Sequence, residues 1–272
     1  MIAIMLHHIK PHPPTNPTEF LYSLTPEGLR SLIRAIRFWG LEIVSLRDVL
    51  NSPEGAPKPG QVILTVDDGY ENFYQYALPI LEEEMAPATV FVLPGLWGGD
   101  NYWDKAHLPP SQRDKLMTAE QMERLCQSGW VTLGSHGLYH RHFAELSAED
   151  LQAELHDSYA LLSQRLPDAF LPALAYPFGS YSPAVLQALA QSPYRLAFTT
   201  EKGLWSPTTQ PFEIPRYNIN YWDQNPIRLM AKSLKNRILP AWFTFLPQAP
   251  GVPFQQQEKT PTSPAKTPER VA

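Results

Sequence analysis

The stretch Val62-Ile63-Leu64-Thr65-Val66-Asp67-Asp68-Gly69 decides the fold. Its first half is apolar and rich in β-branched residues, which suit a pleated, buried strand better than a helix. The run stops at two carboxylates and a glycine, so the strand ends where polar chemistry begins. A helical pattern follows from about Glu71 to Glu84, and then a second apolar run, Thr89 to Leu93. Strand, polar turn, helix and strand form the unit from which parallel α/β sheets are built.

The same alternation extends in both directions. Upstream, Ile2 to Leu6 reads as a strand, and residues 26–39 carry Leu29, Leu32, Ile33, Ile36 and Phe38 at helical spacing before Gly40. Downstream, residues 118–128 read as a helix opening on a Thr118-x-x-Gln121 capping box. Val131 to Leu133 is a short strand that runs into Gly134-Ser135-His136. Residues 147–166 give the clearest helix, with Ser147 as cap and Leu151, Leu155, Tyr159, Leu162 and Leu166 along one face. Leu174 to Tyr176 (strand), residues 183–191 (helix) and Leu196 to Thr199 (strand) complete the pattern. A parallel sheet, open or closed into a barrel, is expected. Asp67-Asp68 and His136 both fall at carboxyl ends of strands, the face that carries the active site in closed α/β barrels.

The chain has 272 residues, 43% hydrophobic and 18% charged, which fits one large domain with a tail. A formal net charge of −5 with no basic stripe argues against a nucleic-acid partner. Cys126 is the only cysteine, so there is no intrachain disulfide, and its setting reads as the buried face of a helix. No apolar run approaches the ~20 residues of a membrane span. The opening Met1-Ile-Ala-Ile-Met-Leu6 is short for a signal peptide and lacks a basic flank, so a cytoplasmic location is the default expectation. The main domain is expected over 1–225. Residues 226–246, with Trp242, Phe243 and Phe245, form a docking helix or C-terminal extension, an amphipathic membrane-surface role being the alternative. Residues 247–272, rich in Pro, Gln, Lys and Thr, read as a disordered tail.

Two adjacent carboxylates after an apolar strand repel each other, which raises one pKa unless a cation sits beside them. A metal would relieve this and leave the second carboxylate free as a base. Read alone, Asp-Asp-Gly fits a capped helix start equally well. His136-Gly-Leu-Tyr-His140 adds two imidazoles four residues apart, able to reach one metal from a turn, with His142 nearby. One Asp and two His make an open site, with room for water and substrate, suited to Zn²⁺ and also to Co²⁺ or Ni²⁺.

At these residues the chain resembles a known family. Thr65-Val-Asp-Asp-Gly69 is similar to the first motif of the polysaccharide deacetylases, the NodB-homology or carbohydrate esterase family 4 enzymes. Gly134-Ser-His-Gly-Leu-Tyr-His140 resembles their second motif and Ala175-Tyr-Pro-Phe-Gly179 their third. Pro87-Ala-Thr-Val-Phe-Val92 resembles the strand after the first motif, and Met5-Leu-His-His-Ile9 the start of a branch with rearranged motif order that includes poly-N-acetylglucosamine deacetylases. The resemblance covers roughly residues 1–222. It implies a deformed (β/α) TIM-like barrel of about seven parallel strands.

It also implies metal-dependent hydrolysis of an N-acetyl group on a carbohydrate, with an N-acetylated carbohydrate as substrate. Asp67 would be the general base, and Asp68, His136 and His140 the ligands of a divalent metal ion. The Phe178 N–H would serve the oxyanion and His7 would be the general acid. Tyr139, Tyr176, Pro177, Trp222 and Arg216 are candidates for contact with substrate. Three departures stand out. Gly137 replaces a Ser or Thr, and Leu6 replaces a Tyr. Ala175 replaces the Arg that orients the base, so Arg216, in Ile214-Pro-Arg-Tyr-Asn218, is a candidate to supply that guanidinium from a later strand. Two alternatives are a metal-dependent amidase acting on a small amide or imide, and a catalytically weak, metal-containing sugar-binding domain. The retained Asp67 counts against the second.

Overall fold

The computed structural model describes residues 1–52, 58–105, 107–225 and 228. The chain opens with β1 (Ile2–Leu6), β2 (His8–Ile9), α1 (Pro17–Tyr22), β3 (Ser23–Leu24) and α2 (Pro26–Phe38). There follow β4 (Glu42–Ile43), α3 (Leu46–Asn51), β5 (Gln61–Val66), a π-helical turn (Phe73–Ala77) that runs into α4 (Leu78–Glu83), and β6 (Ala88–Val92). A long connection holding α5 (Tyr102–Lys105) leads to α6 (Ala119–Gln127) and β7 (Val131–Ser135). After these come α7 (Ala148–Arg165), β8 (Phe170–Ala175), α8 (Pro183–Ala190), β9 (Leu196–Phe198) and β10 (Tyr217–Asn218).

The strands pair in parallel in the order β10-β1-β5-β6-β7-β8-β9, with β4 on β5. Residues 214–218 join the two ends of this order. Ile214 bridges Phe198, donating its N–H to Ala197 and accepting from Thr199, and three residues later Tyr217 pairs with Ile4 of β1. The result is the deformed α/β barrel of seven strands expected from the sequence.

Period-two alternation sorts the strand side chains. Ile2, Ile4, Leu6, Val62, Leu64, Val66, Val90 and Val92 pack outward, in one core with the apolar stripes of α2, α6 and α7. Ala3, Ile63, Phe91, Ala173, Ala175, Phe198 and Ile214 make a second core inside the barrel. The capping devices form where the sequence puts them. Thr118 and Gln121 exchange both bonds of the capping box, and Ser147 accepts from the Asp150 N–H.

Several elements differ from expectation. β8 begins four residues early, at Phe170, and tolerates Pro172 because the β7–β8 register shifts there, so no ladder donor is needed. The helix after Asp67-Asp68 opens with a π-helical turn. Cys126 is half-buried rather than fully so, and burial pushes its thiol up to about 12, which leaves it unreactive. The expected extension and tail at 226–246 and 247–272 lie outside the described residues, Arg228 excepted. Among the described residues no helix is long and apolar enough to cross a membrane.

The connection between β6 and α6 folds over the carboxyl ends of the strands. Tyr70 bridges Leu116, and these two pack with Leu93, Leu96 and Trp103. An ionic clamp ties this cap to the chain after β2. The buried Lys10 Nζ lies 3.0 Å from both Glu19 and Asp114, and Lys105 reaches the other Asp114 oxygen at 2.6 Å. Burial pushes the Asp114 carboxyl up, but His8, Lys105 and Lys10 together bring it down to about 2. His8, itself held at about 3, carries charge only in acid, so at neutral pH the two lysines hold Asp114. A carboxyl with a lowered folded-state pKa stabilises the fold above its unfolded value, and that contribution is lost as pH falls through the folded value. Stability should therefore drop between pH 4 and 2, by at most about 2 kcal/mol from this group. Lys10→Met should weaken the fold at pH 7 and flatten that acid loss, as read by denaturant unfolding at a series of pH values.

Candidate active site

Asp67 and Asp68 follow β5 directly and turn in different directions. The Asp67 N–H still bonds Leu6 in the sheet, whereas Asp68 takes a positive φ of 73° and hands over to Gly69. A non-glycine residue in this left-handed region is strained and needs its surroundings to hold it. The described chain has four such residues, and three of them, Asp68, His140 and Phe178, surround one point.

Asp67 points into the barrel and meets Arg216. Both guanidinium ends engage it, at 2.7 Å to Oδ1 and 2.8 Å to Oδ2. Arg216 is 0% exposed. It also donates to Thr65 Oγ1 and the Thr199 carbonyl, and lies over the Phe91 and Phe198 rings, which pack against each other, at 5.8 and 5.9 Å. Burial alone would raise the Asp67 pKa, but the charge of Arg216, with His136 behind it, more than offsets burial and the net direction is down. Arg216 thus reaches Asp67 from the segment that closes the barrel, and Ala175 contributes only a methyl group to the interior. The guanidinium is fully buried and four of its N–H groups are bonded within the protein, so Arg216 is not placed to touch substrate.

Asp68 points the other way, towards the two histidines. Its Oδ1 lies 3.2 Å from Nε2 of both His136 and His140, and the three candidate ligand atoms lie within 4.8 Å of one another. His136 Nδ1 donates to the Ala175 carbonyl at 2.8 Å, so in the neutral ring, the form that binds a metal, Nε2 is a lone pair. That lone pair faces a carboxylate oxygen that is buried and lacks a hydrogen bond of good geometry. Two acceptors aimed at each other repel unless a cation lies between them, so these residues fit a divalent ion. Trp103 from α5 stacks on His140 at 4.3 Å, and Phe178 meets the same ring edge-on at 4.3 Å.

The remaining candidates fall on two sides of this point. His7, at the β1–β2 junction, packs edge-on to Tyr22 at 4.7 Å, and its Nδ1 is buried without a partner. Burial lowers its pKa, against the upward pull of Asp67 and Asp68. His8 turns away, stacks on Tyr70 and accepts from Asn72. His142 stacks on Phe178 rather than joining the ligands. The turn Pro177–Gly179 uses the Gly179 and Ser180 N–H groups for its own bonds and leaves out that of Phe178. Tyr139 is 43% exposed beside the ligand loop, and Trp222 is 51% exposed and stacks on Phe20 beside α1. Tyr176 and Pro177, in contrast, are buried. Tyr176 is 1% exposed and bonds the Phe212 carbonyl, so its ring is a core residue and not a substrate contact.

Tyr22, which packs on His7, and Glu154 are not marked by any motif. Tyr22 lies in a helix too short to show periodicity. Glu154 is a charge set among Leu151, Leu155 and Leu162 on the inward face of α7, and that position was the available signal.

Comparison with known proteins agrees with this architecture. The family model described as polysaccharide deacetylase matches residues 54–197. A Bacillus subtilis relative, YxkH, described as a polysaccharide deacetylase, is 29% identical over 165 residues, covering 60% of this chain and 53% of its own length. This chain therefore spans about half the length of that relative. The poly-β-1,6-N-acetyl-D-glucosamine N-deacetylase of Staphylococcus epidermidis is 22% identical over 205 residues, with 72% of this chain and 67% of the other covered. Among solved structures, the Streptococcus pyogenes deacetylase PplD in complex with acetate superposes with a TM-score of 0.67 at 26% identity, covering 85% of this chain and 96% of that one. On the strength of the family match, this chain belongs to the polysaccharide deacetylase family.

Proposed function

We propose that this chain hydrolyses the N-acetyl group of a carbohydrate with the help of a divalent metal ion. The observation that carries the reading is the division of labour between two adjacent carboxylates. Asp67 is clamped by Arg216 and Asp68 turns to two histidines. Asp68, His136 and His140 hold the ion, with Zn²⁺ the best match and Co²⁺ or Ni²⁺ compatible. When bound, the ion supplies Lewis acidity towards water and the acetyl carbonyl.

The protein's own groups do the rest. Arg216 keeps Asp67 ionised and fixes its orientation, and each carboxylate oxygen retains a lone pair for the proton of the attacking water. The Phe178 N–H donates to the acetyl oxygen as negative charge develops there. His7 delivers a proton to the leaving nitrogen as the C–N bond breaks. Since burial favours the neutral ring, His7 takes up that proton from solvent during turnover, and the proton Asp67 took from water is released with product. A C–O bond forms, and acetate and a free amine result. Tyr139 offers an apolar face to a sugar ring, whereas the ring of Trp222 is covered by Phe20 and the Arg228 guanidinium. Arg216 supplies Asp67 with a guanidinium partner, which weakens the alternative of a small-amide substrate as far as that rests on Ala175.

Acetate release from N-acetylglucosamine oligomers, followed with metal content, tests the reading. Asp67→Asn should lower turnover by about 10²–10⁴-fold and leave the bound ion in place. Activity confined to small amides, or bound sugar without turnover under any divalent ion, would overturn it. A chelator should abolish activity. Restoring the ion at 100 times its Kd should raise stability by about 2.7 kcal/mol, visible as a shift in melting temperature. Arg216→Lys, which loses the planar fork, should lower kcat by about 10–100-fold with unchanged metal content.

A further inference from the structure

We propose that Glu154 of α7 is a positioning residue for the metal loop: its buried carboxylate fills the concave run of N–H groups after His136 and so fixes where His140 points. The loop leaves β7 through Gly137 at φ 79° and ends at His140 at φ 56°. Between these, the Leu138 and Tyr139 N–H groups both donate to Glu154 Oε2, at 2.5 and 3.1 Å. The Gly137 N–H donates to Ser135 Oγ at 3.1 Å. Successive N–H groups curled to one side form a ready anion site, and here a side chain of the same chain occupies it. Glu154 is 1% exposed, and its second oxygen, also buried, has no hydrogen-bond partner. The carboxylate is therefore committed to the loop.

Gly137 makes this possible. A Cβ at that position would lie 3.0 Å from Glu154 Oε2 and 3.0 Å from the Phe143 ring, in a backbone conformation that side chains resist. The departure from Ser or Thr in the second motif and the acid on α7 are thus two halves of one arrangement: the loop gives up its own hydroxyl and takes its brace from the helix. One turn along α7, Ser158 bonds Ser135 Oγ at 3.0 Å and the Glu154 carbonyl at 2.6 Å, which fixes the helix against the end of β7. Leu138 and Tyr139 are the two residues before His140. Losing their anchor frees the backbone that aims its imidazole, while Asp68 and His136 stay on strand ends.

This inference rests on the metal reading above, and Zn²⁺ titration separates the two. Affinity is measured for the wild type, Glu154→Gln, Glu154→Ala and Glu84→Gln, a buried acid paired with Arg30 and Arg34 on the outer helices. Unfolding of the metal-free proteins is followed in parallel. Glu154→Ala should weaken Zn²⁺ binding by about 10–100-fold, Glu154→Gln by less, and Glu84→Gln not at all, whatever each does to the unfolding midpoint. The absorption bands of the Co²⁺-loaded Glu154 variants should also shift. A wild type that binds no ion overturns the metal reading itself. A wild type that binds, with both Glu154 variants binding equally well, overturns only the positioning role. Glu154→Gln keeps the side-chain shape and one acceptor oxygen, so it decides the question where the alanine variant fails to fold.

Discussion

The structure turns on the buried fork between Asp67 and Arg216. Two charges inside a barrel are costly to desolvate, and their attraction repays this only with near-ideal geometry and further hydrogen bonds to the remaining donors. Both conditions hold. The pair is bidentate, Thr65 and the Thr199 carbonyl take up two more guanidinium N–H groups, and two aromatic rings packed together lie beside the cation. Because Asp67 ends β5 and Arg216 lies in the segment that joins β9 to β1, one interaction pins the mouth of the barrel across its seam. The proposed chemistry and the closure of the fold therefore draw on the same contact.

The sequence displayed most of the barrel because its main strands are long apolar runs and its helices carry regular stripes and caps. What escaped were elements of two to six residues, such as β2, β3, β4, β10, α1 and α3, which are too short for periodicity and owe their conformation to neighbours. Pro172 hid the first half of β8, because nothing local announces that the partner strand shifts register there.

The site was legible to the same degree and for related reasons. Asp68, His136 and His140 sit at strand ends with informative spacing, and the structure brings them together. Arg216 was visible only as a candidate, since a contact across 149 positions has no local signature. Tyr176 and Pro177 looked available within a motif, yet both are buried, because alternation at the end of β8 sends Tyr176 outward to the helix side. Glu154 bonds backbone N–H groups, so the sequence shows only an acid on the apolar face of α7 and not what it meets.

The barrel seam sets an order of events. A ribosome delivers Asp67, Asp68 and both histidines well before residue 216. Until the closing segment emerges, the Asp67 carboxylate lacks its counter-charge and the barrel has two open edges. A nascent chain can thus hold the three candidate metal ligands while the neighbouring acid is still unpaired. The last strand then delivers closure and counter-charge together, so the chain cannot acquire a finished site without a finished barrel.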